Sequence, residues 1–166
     1  MKIKKRKMML AVVIFIVIAT TAAFIVRYSI NKKAVDVKDI VRIEIDESGG
    51  SSGYTALRQH HEIDFESNTA VTHIENPNAD PKQSDSKTTF TEKDKEYFIK
   101  YANYYGFFNW KESYTCDYYD MSGTNICITF KNGAQKNINC YGKFPLTYDK
   151  MKKVFEKAFG LGMFIY

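Results

Sequence analysis

Three histidines, at positions 60, 61 and 73, are the residues of this chain best suited to metal or acid–base chemistry. Imidazole nitrogens and carboxylate oxygens are ligands that zinc accepts. His60 and Glu62 share one face of an alternating strand, and His73 can oppose them across a hairpin. A polar face in contact with water is the favoured alternative, because the spacing matches no metal-binding motif. We therefore rank a metal site at His60, Glu62 and His73 second, after a polar face in contact with water.

Aromatic side chains are the second group of candidates, with nine of them in residues 101–120. Most belong in a core, since Phe98 and Tyr105 fall on the apolar stripe of a helix. Other tyrosines fall on a different stripe, and two neighbours in one strand cannot both point inward. Exposed tyrosine and tryptophan suit contacts with proteins or glycans. The candidate binding residues are Tyr101, Tyr104, Trp110, Tyr118 and Tyr119.

The three cysteines, Cys116, Cys127 and Cys140, are too few and too widely spaced for a metal knuckle or a disulfide framework. An exported domain can hold one disulfide and an odd thiol. A cross-strand Cys116–Cys127 disulfide requires a four-residue loop between the two strands. The sequence leaves that register open.

Motifs of the common enzyme classes are missing from the sequence. It contains no serine-centred elbow, His-Glu-x-x-His helix, phosphate loop or dinucleotide fingerprint. We therefore expect that the protein is not an enzyme and that it binds no cofactor.

The chain begins with a basic flank and a long apolar run. Residues 1–7 contain five Lys or Arg, and residues 8–26 carry no charge. As a helix this run would measure about 28 Å, enough to cross a bilayer, and the basic flank favours a cytoplasmic N terminus. A cleaved signal peptide is the alternative, but the run continues past its small residues. We predict an uncleaved anchor, a linker at 27–37 and an extracytoplasmic domain at 38–166.

The net charge of +5 belongs to the N-terminal segment. The first 33 residues hold eight basic side chains and no acidic one, so the rest of the chain holds 16 basic and 19 acidic ones. Nucleic-acid binding requires a basic patch on the folded part. We therefore exclude nucleic acid as a partner.

Strand-like alternation recurs along the exported part. The segments are 39–46, 60–67, 69–75, 113–120, 125–131 and 135–142. The second and third are predicted to form a hairpin, and so are the last two, through a three-residue loop that ends at Gly133 and pairs Phe130 with Ala134. The polar segment 76–89 is predicted to be an exposed loop.

Two helices complete the pattern. Thr91 and Asp94 fit a capping box, Gly106 can end that helix, and Thr147 is expected to cap the last one. We predict an α+β fold in the order β-β-β-α-β-β-β-α. An antiparallel sheet of about six strands would carry both helices on one face, after the transmembrane helix.

Residues 109–160 resemble the C-terminal part of a domain of unknown function on exported or membrane-anchored proteins of Gram-positive bacteria. The matching positions are Phe130, Asn132, Gly133, Lys136, Gly142 and Pro145. The resemblance covers about a third of the chain, and the motif elements are structural. It implies an extracytoplasmic location and carries no activity to any residue.

These observations favour a membrane-anchored domain that binds a protein at the cell surface, as a sensor, an accessory subunit or an immunity-type partner. A short linker keeps such a domain near other membrane proteins, and tethering compensates for weak interfaces. The alternative function is binding of a metal or small ligand at the His60–His73 hairpin.

Overall fold

The structure is a computed structural model. It describes residues 35–49, 57–75, 83–116 and 122–163. The chain divides into two units, 1–34 and 35–166, and the predicted anchor at 8–26 lies outside the described residues. Within the described part, no helix is both long enough and apolar enough to span a membrane.

The described part of the second unit contains one seven-stranded sheet. Its strands are β1 (Ile40–Ser48), β2 (Arg58–Asp64), β3 (Thr69–Glu75), β4 (Gln83–Thr89), β5 (Ser113–Thr115), β6 (Gly123–Phe130) and β7 (Gln135–Tyr141). Their order in space is β4-β3-β2-β1-β6-β7-β5. All neighbours are antiparallel except β5 and β7, which run parallel. The α+β prediction is confirmed, with one strand more than expected.

The additional strand, β4, forms in the segment that was predicted to be a loop. Residues 84–89 of this strand are all exposed. An edge strand with no buried face has no reason to alternate apolar and polar residues, so the usual sequence signal is absent.

The strand β5 also differs from the prediction, because it has three residues and does not lie beside β6. The turn after Phe130 forms as expected: Phe130 N donates to Ala134 O at 2.9 Å, and Gly133 has φ +80°. This tight turn places β7 beside β6, so β5 can only join the outer side of β7.

Two helices, α1 (Glu92–Tyr104) and α2 (Tyr148–Phe159), pack against one face of the sheet. The predicted capping box is confirmed: Asp94 N donates to Thr91 Oγ1 at 3.3 Å, and Thr91 N donates to Asp94 Oδ2 at 2.9 Å. Two short 3-10 helices, Val37–Asp39 and Phe107–Asn109, complete the elements.

The core lies between the helices and this helix face of the sheet. Its fully buried sheet residues are Ile43, Ile45, Ile63, Ile126, Ile128 and Ile138. Phe98 of α1 is completely buried, with ring centroids 5.1 Å from Phe155 and 5.0 Å from Phe159 of α2.

The opposite side of the sheet, which we call the open face, carries no described helix. Alternation along the strands places polar side chains on it. They include Arg42, Glu44, Asp46, Arg58, His60, Glu62, Asp64, His73, Glu75, Asp85, Lys87, Asn125 and Asn139.

Candidate functional site

Two of the three histidines meet on the open face. His60 on β2 lies directly opposite His73 on β3. Their rings stack with centroids 6.0 Å apart and an angle of 24° between planes. The structure therefore has the cross-hairpin arrangement that the sequence allowed.

Each of these histidines contacts an aspartate on the strand that flanks the β2–β3 hairpin on its own side. His60 Nδ1 lies 2.7 Å from Asp46 Oδ1 on β1, and His73 Nδ1 lies 2.9 Å from Asp85 Oδ1 on β4. A carboxylate only accepts hydrogen bonds, so both Nδ1 atoms act as donors, and Nε2 is then the lone-pair nitrogen of each neutral ring. We call this arrangement of four residues across four strands the histidine row.

Glu62, the third predicted ligand, does not join the histidine row. Its Oε1 lies 3.3 Å from Arg42 Nε in an ion pair. In the part of the chain that the structure describes, no group of three or more His, Cys, Asp or Glu could hold a metal ion. Two of the predicted ligands are thus brought together and the third is not.

A cavity of about 730 Å³ lies beside the histidine row. Its lining includes both histidines, Arg58, Glu75 and Tyr141. Charges of both signs and an aromatic ring surround this space, so it suits a small polar ligand better than an apolar one.

The third histidine, His61, points to the other face and is completely buried. Its Nδ1 lies 2.9 Å from Thr72 Oγ1, and its Nε2 lies 3.6 Å from Glu47 Oε2, too far for a hydrogen bond. This buried pair was missed in the sequence. The alternation that turns Ile63 inward also turns His61 inward, and that signal was available.

Glu47 links this pair to α2. The Tyr148 hydroxyl donates to Glu47 Oε1 at 3.0 Å and lies 2.7 Å from Thr124 Oγ1. These side chains are buried, so hydrogen bonds must offset the cost of removing them from water. The network ties β1, β2, β3 and β6 to α2, and Glu47 also belongs to the lining of the cavity beside the histidine row.

The cross-strand disulfide between Cys116 and Cys127 is not formed. Cys116 N donates to Tyr141 O at the end of β7, whereas Cys127 lies on β6 opposite Asn137. Because β7 separates β5 from β6, the two cysteines are not on neighbouring strands. Cys140 is buried on the helix face, and burial raises the pKa of its thiol to about 11.

Three tyrosines of α1 and Tyr105, which follows its last residue, form a continuous aromatic row. Ring centroids lie 4.6 Å apart for Tyr97 and Tyr101, 6.1 Å for Tyr101 and Tyr105, and 5.1 Å for Tyr105 and Tyr104. Tyr104 is 76% exposed, and the other three are half-buried. Two predicted binding residues, Tyr101 and Tyr104, therefore belong to one surface.

Lysines surround this row. The ammonium groups of Lys100, Lys150 and Lys157 lie 5.6, 5.5 and 4.7 Å from the rings of Tyr101, Tyr105 and Tyr97, respectively. These distances are within the range of cation–π attraction. Leu146 is fully exposed and next to Thr147, whose hydroxyl donates to Tyr105 O at 2.9 Å. We call the four tyrosines, Leu146 and the three lysines the tyrosine surface.

Trp110 does not belong to this surface, although it was a candidate. It is buried, and its Nε1 donates to Thr147 Oγ1 at 3.1 Å. Its ring packs on Phe107, with centroids 5.0 Å apart. Tyr118 and Tyr119, the remaining candidates, lie outside the described residues.

Comparison with known proteins provides no relative from which a function could be transferred. No protein-family model, no curated protein and no solved structure matches this chain.

Proposed function

We propose that this chain is a single-pass membrane protein whose extracytoplasmic domain binds a partner protein at the cell surface. The observation that carries the proposal is the tyrosine surface, which combines exposed tyrosine and leucine with lysine. Aromatic side chains are enriched in protein interfaces, and their central positions contribute most of the binding energy.

The charge of the tyrosine surface indicates the chemistry of the partner. Three lysines, at positions 100, 150 and 157, contact its rings, so acidic groups of a partner would complement them. The ring contacts hold these lysines beside tyrosines, and a partner could then meet both together. A binding role, as sensor, accessory subunit or immunity-type partner, requires no catalytic group.

The membrane location is supported by the sequence. The uncharged run at 8–26 follows five basic residues, as in an anchor with a cytoplasmic N terminus. The resemblance of residues 109–160 to exported Gram-positive domains agrees with this location.

Photo-crosslinking of the full chain in its own membrane tests the proposal. A photoreactive residue replaces Tyr104 or Tyr101 on the tyrosine surface, or Tyr141 on the open face as a control of the same residue type. We expect one recurrent protein adduct from Tyr104 and Tyr101 and none from Tyr141. Equal adducts from all three positions, or none from Tyr104 in expressed and exported protein, would refute the proposal.

The histidine row supports a second candidate function, binding of a small ligand or a metal ion. Metal-ligating histidines commonly donate their other ring nitrogen to a carboxylate, as His60 and His73 do here. Titration of the full chain with Zn²⁺ tests this candidate. We expect His73→Ala to abolish binding and Glu62→Gln to leave it unchanged; identical titrations of wild type and His73→Ala would reject it.

A further inference from the structure

The strand β4 is the last strand on one side of the sheet among the residues that the structure describes. Strand β3 is its neighbour on one side, and no other described strand pairs with it. An edge of seven residues offers free backbone N–H and C=O groups to another strand. The side chains of residues 84–89 are all exposed, so the described part of the chain does not cover this strand.

The register with β3 determines which backbone groups point outward. Phe90 N donates to Asn68 O at 3.1 Å, and Thr88 is paired with Ala70 in the same register. Hydrogen bonding alternates along an antiparallel strand, so even-numbered residues of β4 bond to β3. The odd-numbered residues, Asp85 and Lys87 among them, therefore direct their N–H and C=O groups away from the sheet.

The sequence of this edge is complementary to itself. In an antiparallel pair of two copies centred on Ser86, which is the middle residue of β4, Asp85 lies opposite Lys87 of the second copy. The symmetric contact repeats the same charge pair. Asp85 and Lys87 are also outward-bonding residues, so each pair exchanges two backbone hydrogen bonds. Opposite charges at directly facing positions stabilise a strand pair.

Neighbouring registers lack this complementarity. Centring the pair on Asp85 places two aspartates opposite each other, and centring it on Lys87 does the same with two lysines. Like charges at facing positions are destabilising. The centre at Ser86 also uses the whole strand from Gln83 to Thr89.

The helix face of β4 carries no bulky side chain in its described part. Its side chains there are the small hydroxyl residues Ser84, Ser86 and Thr88. One hydrogen bond joins this face to the helical layer: Thr88 Oγ1 donates to Phe159 O of α2 at 2.9 Å. Directly opposite residues point to the same side of a sheet, so both helical layers would lie on one side and both open faces on the other.

We propose that β4 is a homodimer interface, pairing with β4 of a second copy about a two-fold axis at Ser86. The interface is isologous, and it removes the exposed edge by joining two sheets into one. It also extends the histidine row, since Asp85 is the last residue of that row and faces Lys87 of the second copy. The proposal does not depend on the tyrosine surface.

Cysteine substitution at the axis provides the test. In full-length protein in its membrane, Ser86→Cys would place two thiols at a facing, non-hydrogen-bonded pair with Cβ atoms about 4.5 Å apart, within reach of a disulfide. Ser84→Cys is the matched control, because its symmetry mate lies four residues away along the strand. We expect a covalent dimer on mild oxidation for Ser86→Cys, and only the wild-type background for Ser84→Cys.

Charge reversal tests the register in the Ser86→Cys background. Lys87→Asp places two aspartates opposite each other and should reduce crosslinking about fivefold, for two unfavourable pairs. Adding Asp85→Lys restores opposite charges and should restore crosslinking. Circular dichroism of each variant checks that the monomer is folded. No covalent dimer of Ser86→Cys, equal crosslinking of Ser86→Cys and Ser84→Cys, or no recovery in the double reversal would overturn the proposed pairing.

Discussion

The open face and the tyrosine surface are both in contact with water, but their side chains differ in kind. On the open face, alternation forces every second strand residue into water, and acidic residues predominate, with ion pairs such as Arg42–Glu62. On the tyrosine surface, tyrosine and lysine cover the helices with apolar ring and stem atoms while their polar ends reach water. The open face therefore suits small polar ligands, and the tyrosine surface suits a protein.

Removing the core that supports both surfaces should have the largest effect. Phe98 is completely buried, and its ring packs against Phe65 at the end of β2 and against Phe155 of α2. We expect Phe98→Ala to lower the free energy of unfolding by about 3–5 kcal/mol, through lost burial and a cavity. Tyr104→Ala on the same helix should change it by less than about 0.5 kcal/mol. Urea denaturation measures both, and similar losses would mean that Tyr104 is part of the core.

The buried hydroxyl that links the sheet to α2 should have the next largest effect. Tyr148→Phe removes the bonds to Glu47 and Thr124. We expect a loss of about 1–3 kcal/mol in thermal or urea unfolding, because a buried carboxylate loses a donor. Tyr141→Phe, on the open face, is the control and should be neutral. A neutral Tyr148→Phe would show that the network does not stabilise the attachment of α2.

A smaller effect, dependent on pH, should come from the open face. Partial burial acts to raise the pKa of Asp64, but the backbone N–H groups of Ser67 and Glu66, each at 2.8 Å, and the Arg42 charge hold it below 3.8. Because the pKa of Asp64 is lower in the folded chain than in the unfolded chain, its ionised carboxylate stabilises the fold at pH values above 3.8. This stabilisation is lost as the pH falls through the lowered pKa.

The matching variant is Asp64→Asn, which should cost about 1 kcal/mol at neutral pH. Its deficit in unfolding free energy should shrink as the pH falls below 3.8. Urea titrations at several pH values measure this, with Glu66→Gln as a control from the same turn. A deficit that stays constant with pH would contradict the assigned role of the carboxylate.

The smallest predicted effect is a difference in labelling rate between a cysteine of the helix face and one of the open face, and it requires no substitution. At pH 8, a thiol with a pKa of about 11 is only about one part in a thousand thiolate, so Cys140 should react slowly with a maleimide. Cys127, half-buried on the open face, should react faster. Mass spectrometry of native and urea-unfolded protein compares them. Equal native rates would place Cys140 at the surface.

Structural features that depend on residues a few positions apart could be predicted from the sequence. Features that depend on distant partners could not. The capping box at Thr91 and the turn at Gly133 each involve residues a few positions apart, and both formed as predicted. Thr147 lies at the predicted N-cap position of α2, but its hydroxyl makes no capping hydrogen bond. It contacts Trp110 and Tyr105 instead, which are 37 and 42 residues away. A capping rule contains no information about those partners.

The candidate sites show the same division. The pairing of His60 with His73 follows from a short hairpin. The aspartate contacts need the order of four strands, and one of these, β4, has no apolar pattern to reveal it. The tyrosines of α1 were visible in the sequence, but lysines of α2 join them only when the two helices pack together.

The central position of β1 has a consequence for how the domain is made. Strands β2, β3 and β4 can add to β1 in chain order as synthesis proceeds, since each pairs with the one before it. The other side of β1 pairs with β6, which emerges only after α1 and β5. Until then the nascent chain exposes the edge of its innermost strand. Such a partly made sheet folds slowly and is the stage most open to aggregation or to assistance by a chaperone.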